Sequence, residues 1–243
     1  MKGIYRIADT VIEIRSSGEG VHALCGAFRS GGTPDLAVEI TEADLRREAA
    51  RTPGAGRDTL ESFAVHRRIA EAMPARDTLL LHASALAADG RAYCFAAPSG
   101  TGKSTHARLW RRLLGARAVM IDDDKPLLRV GDEARVYGTP WNGKHRLGGP
   151  RSAPLAAICF LTRAPENEIR PLRPAEAWPL LLSQAYRPED PEALRKTLLL
   201  LDRLAARIPC YRLACNMDLS AAALAFYAMS GTNAPDPRKG TAS

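Results

Sequence analysis

Nine residues near the middle of the chain, Ala97-Pro98-Ser99-Gly100-Thr101-Gly102-Lys103-Ser104-Thr105, set two glycines ahead of a lysine and two hydroxyl residues. They match the phosphate-binding pattern G-x-x-x-x-G-K-[ST], except that Ala97 stands where the first glycine is expected. Gly100 and Gly102 let the backbone curl so that consecutive N–H groups face a phosphate at the start of a helix. Lys103 would reach the β- and γ-phosphates, and Ser104 would place its hydroxyl on Mg²⁺. The predicted ligands are ATP and Mg²⁺, and the predicted nucleotide-binding residues are Ser99, Gly100, Thr101, Gly102, Lys103, Ser104 and Thr105.

The residues on either side have the pattern that a phosphate-binding loop requires. Strand-like runs at 78–81, 83–87 and 91–97 precede the loop, with a hairpin turn at Asp89-Gly90. A helix is predicted at 105–114, ended by Gly115, followed by a short buried strand at 118–121. The alternative, a surface turn ahead of an ordinary helix, does not explain a strand, a glycine-rich loop and a helix in this succession.

Three consecutive acids, Asp122-Asp123-Asp124, directly follow the strand predicted at 118–121. Carboxylates at the end of a buried strand beside such a loop can hold a metal ion, and one of them can take a proton from an attacking hydroxyl. Three adjacent carboxylates repel one another and favour a cation, which Lys125 and Mg²⁺ would supply. The alternative is an Asp-rich loop that caps a helix, but Pro126 and the strand-like run at 127–130 argue against a helix here.

The first part of the chain has a different pattern. Strand-like pieces at 4–7, 11–14 and 36–40 predict a small antiparallel layer, and Thr41-Glu42-Ala43-Asp44 predicts a capping box at the start of a helix. A second helix is predicted at 59–73 and is stopped by Pro74. We therefore expect a small N-terminal α+β region at 1–75, a nucleotide-binding catalytic domain at 76–230 and a flexible tail at 231–243.

Beyond the acids, strands are predicted at 127–130 and 134–137, joined by a turn at Gly131-Asp132. A strand at 155–162 is expected to pair with a strand at 168–172. Helices are predicted at 175–183, 191–207 and 219–229.

Composition narrows the class of protein. The chain has 243 residues, 46% of them hydrophobic and 25% charged, which suits a folded globular unit and excludes extended disorder. No apolar run approaches the roughly 20 residues of a membrane helix. The first residues lack the pattern of a secretory signal, so we expect a cytoplasmic protein with no membrane partner. The five cysteines form no CxxC pair and are expected to be buried free thiols rather than a disulfide or zinc set.

The chain carries 34 Lys+Arg against 27 Asp+Glu, a formal net charge of +7. A basic chain can bind nucleic acid, but the arginines here are scattered, which favours a solvated basic surface. We expect no nucleic-acid partner. The excess of arginine could attract an acidic peptide, and a homo-oligomer is left open.

The motifs together resemble a known family. His82 on a strand, the hairpin through Gly90, the loop at 98–104 and the pair Asp123-Asp124 resemble the catalytic core of the HPr kinase/phosphorylase family, which is similar in turn to ATP-dependent phosphoenolpyruvate carboxykinase. The similarity is closest to diverged HPr-kinase-like proteins, including kinases that phosphorylate a serine of lasso precursor peptides. Their pattern of Leu-His-x-Ser, Asp-Asp-Lys-Pro and Gly-Thr-Pro-Trp-x-Gly-Lys is met by His82 with its neighbours, by 123–126 and by 138–144. The resemblance covers 79–161.

This resemblance implies an α/β fold with a carboxykinase-like, HPr kinase C-terminal-like P-loop core. It implies an enzyme that transfers the γ-phosphoryl group of ATP to a serine hydroxyl of a small protein or peptide. Asp123 is expected to act as general base and Asp124 as metal ligand together with Ser104, although sequence does not apportion a coupled pair. His82 is implied to contact the γ-phosphate or an acid, and a histidine packed at a strand end is the alternative.

A third motif, at 138–146, adds two candidates. Lys144, with Arg146, could neutralise the charge that develops on the transferring phosphoryl group, and solvated basic residues are the alternative. Trp141 would either stack on a base and cover the site, or anchor the core in a tight turn.

Two other functions stay open at this point. One is a small-molecule kinase on the same core, because the acceptor pocket is not legible in the sequence. The other is an ATP-binding regulatory module without catalysis. Lys103, Ser104 and the acid pair argue against that module, because binding alone would not need a base.

Overall fold

The computed structural model describes residues 1–143 and 145–232, which form a mixed α/β fold. The strands of this part of the chain are Lys2–Ile7 (β1), Thr10–Arg15 (β2), Leu36–Glu39 (β3), Thr78–Leu80 (β4), Ala83–Ala88 (β5), Arg91–Ala96 (β6), Ala118–Asp122 (β7), Leu127–Val130 (β8), Ala134–Tyr137 (β9), Ser152–Arg163 (β10), Glu168–Leu172 (β11) and Cys210–Cys215 (β12). Its helices are Gly20–Leu24 (α1), Glu42–Arg51 (α2), Arg57–Ala72 (α3), Lys103–Leu114 (α4), Pro174–Gln184 (α5), Pro191–Arg207 (α6) and Leu219–Ser230 (α7).

The first three strands form a sheet of their own. Strands β1 and β2 are antiparallel, but β2 and β3 are parallel, so the predicted antiparallel layer is wrong for its third strand. Helix α1, which the strand pattern did not indicate, lies between β2 and β3. A parallel pair needs such a crossover, because the chain has to return to the starting end before it runs in the same direction again.

This small sheet shares its apolar core with the larger one. Helix α3 packs on it, and the buried cluster contains Tyr5 and Ile12 from the sheet and Ile69 from the helix. The same cluster contains Leu80 and Tyr137, which belong to strands β4 and β9 of the larger sheet. The N-terminal strands are therefore held against the edge of the larger sheet by continuous apolar packing.

The predicted capping box at the start of α2 is confirmed. The Asp44 N–H donates to Thr41 Oγ1 at 3.3 Å, and the Thr41 N–H donates to Asp44 Oδ2 at 3.0 Å. The predicted hairpin at Asp89-Gly90 is confirmed too, because β5 and β6 pair antiparallel on either side of it.

The larger sheet has nine strands in the order β4-β8-β9-β10-β6-β5-β7, with β12 added beside β10 and β11 beside β12. Strand β5 is antiparallel to both of its neighbours, β6 and β7. Strands β6 and β7 consequently run in the same direction. Their carboxyl ends meet at one edge of the sheet, which brings the glycine-rich loop after β6 close to the acids at the end of β7.

The pairing of the last strands differs from expectation. Strand β12 was not predicted, and it lies between β10 and β11, parallel to the former and antiparallel to the latter. The direct pairing predicted between 155–162 and 168–172 is therefore wrong. Strand β12 is short and mixes buried with half-buried residues, so its pattern does not stand out before the parallel partner β10 is known.

The five cysteines are free thiols, and Cys25, Cys94, Cys159 and Cys210 are buried. Burial raises the pKa of Cys25 and Cys210 to about 12, so both are inert apolar side chains at neutral pH. In the residues that the structure describes, every helix is too short or too polar to cross a bilayer. Most of the tail predicted to be flexible, 233–243, lies outside the described residues.

Candidate active site

The loop between β6 and α4, residues 97–102, is called the phosphate loop below. Gly100 has φ +78° and Gly102 has φ +123°, backbone conformations that a residue with a Cβ rarely adopts. Helix α4 begins at Lys103, two residues earlier than predicted, and no side chain caps it. Because the first N–H groups of a helix have no partner within the helix, this end of α4 offers donors to an anion.

Lys103 is folded against the phosphate loop. Its Nζ donates to the carbonyl oxygens of Ala97 at 2.9 Å and Pro98 at 3.4 Å, and the residue is 8% exposed. Burial lowers the pKa of Lys103, while the nearby Asp124 and Asp123 act in the opposite direction. The ammonium group is thus already inside the site. Ala97, in place of the expected glycine, is itself buried and is accommodated without disturbing this contact.

Arg163, at the end of β10, holds the phosphate loop from outside. Its Nε donates to the Thr101 carbonyl at 3.1 Å, and its guanidinium also donates to the Gly100 carbonyl. Sequence reasoning did not single out this residue. The only available signal was its place at the end of a predicted strand.

The three consecutive acids lie in different surroundings, and Asp122 is the structural one. It is fully buried and accepts hydrogen bonds from the N–H groups of Asp124, Lys125 and Thr139 and from the Thr139 hydroxyl, all between 2.8 and 2.9 Å. Burial raises the pKa of Asp122 to about 7, and the four hydrogen bonds oppose that rise. Asp122 therefore shapes the acid turn and ties it to the segment that follows β9.

Asp123 points into the site. It is 5% exposed, and Ser84 Oγ on β5 donates to its Oδ1 at 2.6 Å. Among the described residues this is the only hydrogen bond to the Asp123 side chain. Ser84 is itself fully buried. His82, predicted to lie on a strand, lies in the short connection between β4 and β5, two residues before Ser84.

Asp124 is the centre of an ion cluster. Its Oδ1 lies 3.2 Å from His82 Nε2, and its Oδ2 accepts from Lys125 Nζ at 2.8 Å. Burial opposes ionisation of Asp124, but these two hydrogen bonds outweigh it and hold the pKa at about 2. Asp124 is therefore a carboxylate at neutral pH. The sequence left three options for His82: contact with the γ-phosphate, contact with an acid, or packing at a strand end. The geometry supports contact with an acid.

These groups surround one polar cavity of about 430 Å³, the candidate catalytic site, called the catalytic cavity below. The structure brings together there the residues predicted from the sequence except Thr101, which lines the second cavity described below, and Lys144, which is not among the described residues, and it adds Gly143 and His145. The lining residues are His82, Ser99, Gly100, Gly102, Lys103, Ser104, Thr105, Asp123, Asp124, Gly143 and His145.

A second cavity of about 610 Å³ adjoins the first across the phosphate loop and is called the apolar cavity. The two cavities share Gly100, Gly102 and Thr105. Leu109 and Leu161 line the apolar cavity, and Met217, which is 77% exposed, stands at its rim. Sequence reasoning missed these residues because their neighbourhood depends on strand β12.

Residues 138–143 and 145–151, called the site loop below, reach the catalytic cavity. They also reach the N-terminal layer, which consists of β1, β2 and β3 with helix α3. Trp141 Nε1 donates to Ser62 Oγ on α3 at 3.0 Å, and the indole ring lies 4.7 Å from the His66 ring. Trp141 thus anchors the site loop to α3, which favours the packing interpretation over stacking on a base. Lys144 lies outside the described residues, and Arg146 is exposed.

Comparison with family models gives a match over most of the chain. The family model described as SynChlorMet cassette protein ScmC matches residues 60–220, and the chain therefore belongs to this family. The match runs from α3 through both cavities to the start of α7. No curated protein matches the chain.

Proposed function

We propose that this protein is an ATP-dependent kinase that transfers the γ-phosphoryl group to a serine hydroxyl of a small protein or peptide. One observation carries the proposal: the phosphate loop, Asp123, Asp124 and His82 line a single polar cavity. An anion-binding helix end, a lysine and two carboxylates are the groups that phosphoryl transfer requires.

The two adjoining cavities fit the two halves of a nucleotide. The triphosphate would lie in the catalytic cavity against the start of α4, where the N–H groups and Lys103 carry positive charge. The base would lie in the apolar cavity between Leu109 and Leu161, with Met217 covering it. Lys103 would exchange its carbonyl partners for phosphate oxygens when ATP binds.

Mg²⁺ fits the oxygen donors of this site. Ser104 offers an exposed hydroxyl and Asp124 a carboxylate that stays ionised, both at the catalytic cavity, and Mg²⁺ prefers such hard oxygen ligands. When bound, the ion would neutralise charge on the β- and γ-phosphates. His82 and Lys125 would keep the Asp124 carboxylate oriented toward it.

Asp123 is the proposed general base. Ser84 occupies Oδ1, which orients the carboxylate and leaves Oδ2 for the acceptor hydroxyl. Asp123 would take the proton of the serine hydroxyl as its oxygen bonds to the γ-phosphorus. The bond from that phosphorus to the bridging oxygen of ADP then breaks, and ADP leaves with the electron pair.

We also propose that the core is of the HPr kinase C-terminal type, with 1–75 as a separate N-terminal region. Support for this core comes from the antiparallel β5 between β6 and β7 and from the helix that starts directly after the phosphate loop. The four buried free thiols suit the reducing cytoplasm as the compartment. A family described as a cassette protein suits an acceptor encoded in the same cassette.

The test is transfer from γ-labelled ATP, with Mg²⁺, to serine-containing peptides encoded beside this gene and to small hydroxyl compounds. Lys103→Ala should lower transfer and ATP affinity together, whereas Asp123→Asn should lower transfer at least about a thousandfold and keep ATP affinity. Asp132→Asn, in the exposed hairpin between β8 and β9, is the matched control.

The outcomes separate the candidate functions. Full activity of Asp123→Asn would show that another group is the base. Transfer to small hydroxyl compounds alone would favour the small-molecule kinase. Tight ATP binding without transfer to any acceptor would favour the regulatory module.

A further inference from the structure

A groove of about 310 Å³ is lined by both ends of the site loop and is called the basic groove below. It lies between the N-terminal sheet and the larger sheet. Three arginines line it: Arg6 on β1, Arg29 just after Phe28, and Arg151 at the end of the site loop.

The three arginines carry charge that nothing described in the structure neutralises. All three are exposed, and among the described residues none of them forms an ion pair with an acid. The one acid that lines the groove, Asp9, is already occupied. Its Oδ2 accepts from the Tyr137 hydroxyl at 2.5 Å and lies 3.8 Å from the guanidinium of Arg129.

The position of the groove ties it to the site. Gly138 and Arg151, at the two ends of the site loop, line the basic groove, whereas Gly143 and His145, from its middle, line the catalytic cavity. A Cβ on Gly138 would collide with the carbonyl oxygens of Gly149 and Ile121, so the two ends of the loop lie close to each other and to β7. The basic groove and the catalytic cavity are therefore lined by parts of one loop.

We propose that the basic groove docks an acidic segment of the acceptor polypeptide, whose carboxylates pair with Arg6, Arg29 and Arg151. This inference rests on the proposed function, because it concerns how the serine is brought to the kinase site. Docking at a distance would raise the effective concentration of the acceptor serine at the catalytic cavity.

The chemistry of the groove favours carboxylates on a peptide over a nucleic acid. Arginine pairs with carboxylate in a fixed, bidentate geometry, and three arginines from separate elements suit several acidic side chains spaced along a chain. Binding of single-stranded nucleic acid also needs exposed aromatic faces for the bases. The aromatic residues of the groove, Phe28 and Tyr137, are only 5% and 7% exposed.

The experiment measures binding without ATP, so it does not depend on catalysis. The probe is a fluorescein-labelled peptide of alternating Glu and Ser, compared by anisotropy with the same peptide carrying Gln for Glu. The groove variant is Arg6→Ala/Arg29→Ala/Arg151→Ala. The matched control is Arg108→Ala/Arg111→Ala/Arg112→Ala, which removes the same charge from the exposed face of α4.

We expect the full chain to bind the Glu peptide at least about tenfold more tightly than the Gln peptide, with an affinity that falls as salt is added. The groove variant should lose at least about tenfold, and the control less than about twofold. Melting curves check that both variants are folded. If the triple variant unfolds, Arg151→Glu alone should give a loss of about tenfold.

Equal losses in the groove and control variants, or no preference for Glu over Gln, would overturn the docking site. So would a groove variant that loses binding to a duplex or single-stranded DNA probe but not to the peptide. Labelled transfer by the same variants keeps the two proposals apart. A protein that transfers phosphate but does not bind the Glu peptide would support the proposed kinase and contradict the proposed docking groove.

Discussion

The phosphate loop and the site loop line the same catalytic cavity, but they are held in different ways. The conformation of the phosphate loop is closed by residues near in sequence, in the bonds from Lys103 to Ala97 and from Thr101 to Pro98, and Arg163 is its distant support. The site loop is held by residues that are distant in the sequence. Asp122 accepts hydrogen bonds at its start, and Ser62 accepts from Trp141. The first loop is thus encoded in a short run of sequence, and the second requires the assembled fold.

The largest expected effect tests whether the conformation of the phosphate loop depends on its own glycines. Gly102→Ala puts a Cβ at φ +123°, so the loop has to rebuild, and its N–H groups and Lys103 would leave the positions proposed to bind the phosphates. Losing several charge-assisted hydrogen bonds should weaken ATP binding at least about a thousandfold, measured by calorimetry.

The control for this variant is Gly54→Ala, which has φ +83° in the turn between α2 and α3. It carries a similar backbone strain, of about 1 kcal/mol, away from the site. Normal ATP affinity in Gly102→Ala would mean that the loop does not bind phosphate through this conformation.

The next effect tests the distant support of the site loop. Asp122→Ala leaves the buried Thr139 N–H and the part-buried N–H groups of Asp124 and Lys125 without an acceptor, while the Thr139 hydroxyl keeps its second acceptor, the Lys125 carbonyl. The free energy of unfolding should therefore fall by about 3 kcal/mol in urea titrations. Asp132→Ala, an exposed acid in a hairpin, should change it by less than about 0.5 kcal/mol. If both variants lowered the free energy of unfolding by the same small amount, Asp122 would not have the structural role described here.

A smaller effect is expected at the contact between the site loop and α3. Trp141→Phe keeps an aromatic ring beside His66 but removes the donor to Ser62, and should cost about 1 kcal/mol of unfolding free energy. Ser62→Ala should cost a similar amount, and the double variant little more than either, because both remove one hydrogen bond. Simple additivity of the two changes would show that this bond does not form in solution.

The smallest effect concerns pH and the N-terminal layer against which Trp141 packs. Burial, with the N-terminal ammonium and Arg29, lowers the pKa of His22, which is 5% exposed and bonded to the Tyr5 hydroxyl at 2.7 Å. The unfolded chain protonates this histidine near its ordinary value while the folded chain keeps it neutral. The free energy of unfolding should therefore fall as the pH is lowered below about 6.5.

His22→Gln should make that dependence shallower without abolishing it, because burial also lowers the pKa of His66 to about 3 and that of His106 to about 4. Urea unfolding at about pH 7 and pH 5 measures the difference. The same acidification should disturb the site loop before the phosphate loop, because only the former packs on the N-terminal layer. If the stability of His22→Gln changed with pH as steeply as that of the wild type, the pH dependence would come from other groups.

Prediction from sequence succeeded where neighbours along the chain decide the structure. The glycine-rich turn ahead of a helix at 100–103, the capping box at Thr41 and the hairpin at Asp89-Gly90 all depend on residues a few positions apart. It failed at β3 and β12, because the direction and partner of a strand depend on a crossover and on a distant strand.

The same distinction between local and distant neighbours applies to the residues of the candidate site. The glycine-rich run at 99–105 and the carboxylates Asp123 and Asp124 could be predicted because their chemistry and spacing are local. Their supports, Ser84 for Asp123 and Arg163 for the phosphate loop, were not assigned, since hydrogen bonds across strands have no fixed spacing in sequence.

The order of residues alone determined a phosphate loop with a helix behind it and acids at the next strand end, since backbone freedom at glycine and side-chain charge are properties of the residues themselves. Only the tertiary structure decided that Asp122 supports while Asp123 faces the cavity, and that Trp141 packs on α3. It also decided that three scattered arginines share one groove. Burial and partner distance separate three chemically identical acids, and both arise only when distant strands pair.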